Sequence, residues 1–412
     1  MQEKICFSKF IIISILAIVC FFVPIDGENC LIVLFCTLLK TLLNPITKVV
    51  VLGFILWGFL CAIKKKSAKN IVLCSLSLIV LLLSFGKATN ANEAVSLAFS
   101  ICITVFVSGS LTVLITDSGL VEFVAFYLEK IMRRLLNVPG CAAMDIITSF
   151  FGSSSVGVFV TNKYYEEKKY TQKEACLIAS NFSVVSFGFM YGIISITQLN
   201  NISNYVIGAV IILNLILGMI MGRIYPISKK SDLLIDGSSR NLEQEGYEGK
   251  SIYEGLKRGV EKAHEFSANS IYFTAKRTLT FCHEILIQVI PIYFMSLLIM
   301  NYTNVFKYIG KPFGVILGWL QIPEAELIGP GIIIGILEVS LPAVYISELA
   351  LSTAARFFVA VLSLIQIIFF TETANAILQS RIPMNVLDLL KVFVIRTIIA
   401  VPILALMVNL LF

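Results

Sequence analysis

Apolar runs of membrane-crossing length recur along the chain, separated by short stretches where charged and turn-forming residues gather. A helix of about twenty apolar residues crosses roughly 30 Å of hydrocarbon. The pattern predicts nine full spans, at 8–24, 46–63, 69–86, 95–116, 173–195, 204–223, 281–301, 355–378 and 389–411. Residues 28–44 are also apolar, but Lys40 and Asn44-Pro45 interrupt them, which predicts an amphipathic or partly inserted segment. Two further stretches, 141–161 and 325–347, are long enough to enter the membrane yet broken in the middle. Gly152, Ser153, Ser154, Ser155 and Gly157 interrupt the first; Gly329-Pro330-Gly331, Gly335, Glu338 and Pro342 interrupt the second. Each reads as a re-entrant helical hairpin. The fold class expected is an all-α polytopic membrane protein.

The pattern also repeats. Leu136-Asn137-Val138-Pro139 returns as Leu320-Gln321-Ile322-Pro323. Before each copy lies a span; after it come a broken stretch, a short charged turn and two more spans. The expected organisation is N-terminal helices over 1–94, a first repeat over 95–223, a linker over 224–280 and a second repeat over 281–412. Three full crossings per repeat make an odd number, so the second copy enters from the opposite side. Inverted repeats with broken helices at the midplane are a common architecture of secondary transporters.

Composition removes the soluble alternatives. Of 412 residues, 58% are hydrophobic and only 14% charged, and the mean hydropathy is +0.90; soluble domains carry about 25% charged residues. The net charge of +6 does not point to nucleic acid, because the basic residues cluster between apolar runs, as at Lys64, Lys65, Lys66 and Lys69. Alternate loops carry most of them, which predicts a cytoplasmic N-terminus and an outside C-terminus. Lys4 and Lys9 precede an apolar run without a small-residue cleavage site, so a retained first helix is expected. The ten cysteines are scattered mostly inside apolar runs with no CxxC pair and read as small hydrophobes. His264 and His283 form no HExxH motif, and no GxxxxGK[ST] loop occurs. No enzyme activity, cofactor or metal site is expected. Residues 228–250 read as flexible linker and 253–271 as a surface helix with Leu256, Val260 and Ala263 at helical spacing.

The runs around LNVPGCAAMDIITSFFGSSSVGVFV and LQIPEAELIGPGIIIGILEVSLPAVYISE resemble the YjiH family of bacterial Gate-domain, or nucleoside-recognition-domain, membrane proteins. The likeness runs from about residue 95 to the C-terminus. It implies a bacterial plasma membrane location and distant kinship with concentrative nucleoside transporters. It further implies a site built from two hairpins and the broken helices that follow, with a trimer by analogy. Glu338 looks like the carboxylate such carriers use for ribose, and Asn181-Phe182-Ser183 resembles their Asn/Ser pairs. The first hairpin departs from them, offering Ser153, Ser154 and Ser155 where those carriers bring Gln, Thr and Glu.

Ionisable groups inside spans are functional candidates by default. Glu338 stands first, as ligand group or proton carrier, and Glu372 second, for a coupling ion or proton. Glu284 and Gln288 share a helical face near one membrane surface; Asp145 would cap the first hairpin; Arg396 would snorkel to the inner surface. Neutral candidates for a polar solute are Asn162, Asn181, Ser183 and Ser186 in the first copy, and Ser340, Ser363 and Gln366 in the second. The expectation is a secondary transporter of a small polar solute, a nucleoside or nucleobase by resemblance, coupled to H⁺ or Na⁺. The alternative is a non-transporting scaffold, as among the spore-maturation relatives, with the surface helix as its docking face.

Overall fold

The computed structural model describes residues 2–23, 31–64, 66–86, 88–111, 113–140, 142–151, 154–239, 252–264 and 266–412. Among them the chain is all helical, with one isolated β-bridge between Leu233 and Ser239. Seven helices are long and apolar enough to cross a membrane: 34–64, 68–85, 89–111, 172–196, 200–221, 269–299 and 386–411. The protein is a multi-pass membrane protein.

The N-terminal part comprises α1 (Gln2–Phe22), α2 (Leu31–Leu43), α3 (Thr47–Lys64), α4 (Ala68–Phe85) and α5 (Thr89–Leu111). The expected separate segment near 28–44 instead continues into α3 through a single 3₁₀ turn, Asn44–Ile46. Pro45 sits in that turn, where its missing N–H costs little. Helices α3 and α4 are mostly unburied and carry exposed Leu56, Leu60, Val72 and Ile79, as lipid-facing helices should.

The chain continues with α6 (Val113–Thr116), α7 (Leu120–Ile131), α8 (Ala142–Phe151), α9 (Ser154–Glu166), α10 (Gln172–Phe182), α11 (Phe187–Ile196) and α12 (Ser203–Met221). After α13 (Ile252–His264) come α14 (Ala268–Tyr302), α15 (Val305–Trp319), α16 (Ala325–Ile328), α17 (Gly331–Ile334) and α18 (Leu341–Ser347). The chain ends with α19 (Thr353–Gln366), α20 (Thr373–Gln379) and α21 (Val386–Leu411).

The recurrence seen in the letters has a geometric counterpart. The two prolines stand 184 positions apart (323 less 139). Asn137 and Gln321, separated by the same offset, both adopt positive φ, 53° and 59°. Both spans that follow are broken. The run 173–195 opens at 183–186 and the run 355–378 opens at 367–372, so neither is the continuous helix its hydropathy suggests. Across the copies, α9 packs on α20 while α18 packs on α11. Capping boxes start α10 (Thr171 with Glu174) and α21 (Asn385 with Asp388), each satisfying orphan N–H groups at a helix start. Close packing uses glycine where it is needed: a Cβ on Gly218 would lie 2.3 Å from the Phe182 ring.

Two expectations for the connecting region change. Residues 231–239 are docked, not loose: Gln172 and Lys173 donate backbone N–H bonds to Leu233 and Ser231. Asp236 pairs with Lys168 at 2.8 Å and Lys230 with Asp388 at 2.7 Å. The helix expected over 253–271 ends at His264. Its inner face, with Gly255, Gly259 and Ala263, packs on α1 and α7, while Glu254, Lys257, Arg258 and Glu261 stay exposed as on a surface helix. Gly119, at φ +84°, lets the two backbones touch: a Cβ there would sit 1.9 Å from the Gly259 carbonyl.

Candidate functional site

A cavity of about 260 Å³ opens where α9, α11 and α14 meet the break before α18 and the break between α19 and α20. From α14 it receives Glu284 and Gln288, one turn apart on one face. The second hairpin contributes Glu338; the second broken helix contributes Thr371, Glu372, Asn375 and Gln379; the first hairpin contributes Ser155; and Lys69 stands at the α4 side. Three carboxylates, three amides, two hydroxyls and one amine around an apolar floor of Phe189 and Phe369 suit a small polar solute with an aromatic or apolar part.

Two of these carboxylates are held by helix starts. Glu338 is 4% exposed. Its Oε2 accepts from the Ser340 backbone N–H at 2.6 Å and from the Ser340 hydroxyl. The Ser340 hydroxyl also accepts from the Tyr293 hydroxyl of α14 at 2.8 Å. Glu372 reaches across the copies: its Oε1 accepts from Ser155 N at 3.0 Å and Ser155 Oγ at 2.6 Å. A carboxylate from the second repeat thus caps α9 of the first, at the positive end of that helix.

Beside the cavity lies a polar knot that hydropathy does not announce. Arg396 of α21 is fully buried. Its guanidinium donates to the Asn181 side chain, to Asn214 Oδ1 at 2.5 Å and to the Ile365 carbonyl at 2.5 Å. It does not snorkel, because it sits on the buried face of α21 and its guanidinium ends on protein acceptors. Gln366, one residue further along α19, donates to the Ile332 carbonyl at 2.7 Å and to Thr397 Oγ1 at 3.0 Å, tying the helix end to α17 and α21.

The structure therefore gathers only part of the expected set. Ser155, Glu338 and Glu372 line the cavity, and Ser340 braces Glu338 from behind. Ser154 is buried at the start of α9 with no partner for its hydroxyl among the described residues; Ser153 lies outside those residues. Asn181 belongs to the arginine knot. Ser183 and Ser186 flank the first break, Ser183 beside Gly157 and Ser186 capping α11. Ser363 bonds back to the Ala360 carbonyl of its own helix, and Asn162 accepts the Arg381 N–H outside the cavity lining. Glu284 is half-buried in the cavity wall instead of standing free in solvent. Thr371, Asn375 and Gln379 were missed. Their one signal is the polar spacing Thr371, Asn375, Gln379, which puts them on a single helical face.

Residues 48–200 match the Gate family model, described as nucleoside recognition. This stretch resembles a Gate region. It begins in α3, upstream of the boundary drawn at 95 from the letters, and runs through α11. An uncharacterised protein of Alkalihalophilus pseudofirmus is 36% identical over 310 residues, which make up 74% of this chain and 66% of that relative; the chain thus spans a little under two thirds of the relative's length. Two solved structures of CNTnw align at low identity. A variant in an intermediate state is 12% identical, with 99% of this chain and 96% of that one covered and a TM-score of 0.46. An inward-facing, substrate-bound state is 11% identical, with 98% and 96% covered and a TM-score of 0.46.

Proposed function

We propose that the chain is a secondary transporter of a small polar solute, coupled to H⁺ or Na⁺, with the solute held between the two hairpins. The observation that carries this reading is the cavity beside the break of the second interrupted helix, with Glu372 contributed from that break and Glu338 from the second hairpin. Open backbone at membrane depth is tolerated only where protein covers it or a wet cavity meets it, and such breaks are where transporters bind solute and ion. A nucleoside or nucleobase is the solute class that the description of the Gate family favours. The two repeats enter the membrane from opposite faces, with the N-terminus cytoplasmic and the C-terminus outside, in a bacterial plasma membrane. A homo-oligomer, a trimer by analogy with nucleoside carriers, completes this reading. The scaffold alternative would have to use the outer, charged face of α13, where Glu254, Lys257, Arg258 and Glu261 stay exposed.

Thermal unfolding of the purified protein against nucleosides, nucleobases, amino acids and cations tests the reading first, followed by uptake of the best stabiliser into proteoliposomes. Glu338→Gln is expected to lower uptake about tenfold, the cost of one charge-assisted hydrogen bond of about 1.4 kcal/mol. A solute that stabilises both forms equally and enters at equal rates would remove Glu338 from the site.

A further inference from the structure

The arginine knot is built like a cation site. Arg396 is the eleventh residue of α21, about 15 Å from the helix start at 1.5 Å per residue, so its charge lies deep in the bilayer. A guanidinium cannot shed its proton to escape that burial. A buried charge normally needs an ionic partner, yet among the described residues no carboxylate pairs with it. The oxygens it meets are neutral: two side-chain amides and one backbone carbonyl.

The positions of those oxygens explain how the charge is tolerated. Asn181 is the penultimate residue of α10 and Ile365 the penultimate residue of α19, and the two are 184 positions apart, the repeat offset (365 less 181). The guanidinium therefore sits between the C-terminal ends of both interrupted helices, each carrying roughly half a negative charge from its aligned peptides. Asn214 of α12 closes the third side. Half-helix C-termini and freed carbonyls form the environment in which transporters hold a coupling cation.

We infer that Arg396 is a tethered cation occupying the place between the two helix ends where a diffusible one would otherwise bind, so that the protein needs no Na⁺ there. Its significance for coupling rests on the transport reading; the cage itself can be tested without any solute. Coupling then falls to the carboxylates of the cavity, and Na⁺ has no seat at the helix crossing.

The test is thermal unfolding of the purified full-length chain in NaCl, KCl and choline chloride at equal ionic strength. The wild type is expected to melt at one temperature in all three. Arg396→Gln is expected to melt roughly 5 °C lower or more, with acceptors left unpaired, and to recover part of that loss in NaCl or in millimolar methylguanidinium. Selective stabilisation of the wild type by Na⁺ would overturn the inference, as would an Arg396→Gln protein that is as stable as the wild type and indifferent to every cation. Should that variant not fold, Arg396→Lys carries the test. A folded, Na⁺-indifferent lysine form is expected, and a lysine form that fails as completely as the glutamine form would show that charge is not what the cage requires. Failure of every solute to enter proteoliposomes would remove the transport reading and leave these melting results standing.

Discussion

Glu338 and Glu372 do different work although both are acids at helix breaks. Glu338 is enclosed and oriented by Ser340, which Tyr293 fixes in turn. Glu372 spans from one repeat to cap the other. Glu372→Gln should therefore cost about 1 kcal/mol of stability, the charged share of a helix cap, read as a lowered melting temperature without ligand. Tyr293→Phe removes the donor behind Ser340 while keeping the ring. It is expected to weaken solute stabilisation in a thermal-shift titration and leave the ligand-free melting temperature within a few degrees. Both acids were legible, because a carboxylate inside an apolar run stands out against its cost. Arg396 was visible too, but sequence cannot tell a side chain that reaches the surface from one closed in on all sides. Asn214 was illegible: one amide in an apolar helix reads as ordinary helix-to-helix glue.

At the level of elements, glycine, proline and serine mark the centres of the two broken stretches expected as hairpins, whereas no local signal marks the helix breaks, which only the family resemblance implied. The first opens at Ser183-Val184-Val185-Ser186, a stretch with neither glycine nor proline. It stays open through bonds made elsewhere: Ser186 caps α11 and Ser149 donates its hydroxyl to the Phe182 carbonyl. Such support comes from tertiary partners, which a local pattern does not contain. The α13 contact depends on Gly119. Gly119→Ala combines a strained positive φ with a clash on the Gly259 carbonyl and should destabilise by about 1–3 kcal/mol, seen as faster proteolysis within α13. The docked turn at 231–239 is acid-sensitive in a defined direction. Lys168 and the Ser238 donors hold the Asp236 carboxyl well below the usual carboxylate range. Its contribution is complete above an unfolded value near ~3.9 and is lost only as pH falls through the lower folded value. Cleavage of this turn should therefore stay slow at mildly acid pH and quicken only in strong acid, while Lys168→Ala moves that onset upward.

For the whole molecule, the class was readable from hydropathy and charge alone. Which way each copy faces is the proposal most open to direct measurement. In a background lacking the ten native cysteines, single cysteines at positions 163 and 347 should react with an impermeant maleimide from opposite sides of the membrane. Reaction of both from one side would undo the opposed arrangement, and with it the shared cavity between hairpins.

One further property follows from how completely the run Gln172–Ile196 is enclosed, 100% of its apolar window being covered by protein. Synthesis delivers this segment to the lipid long before its walls exist. The Asn181 Oδ1 must wait for a partner 215 residues downstream, so a ribosome stalled before α21 would leave the amide oxygens of Asn181 and Asn214 without their guanidinium. Helix α21 seals the interior, and quality control of nascent chains has a clear feature to read: oily on average, but polar at its heart until α21 is in place.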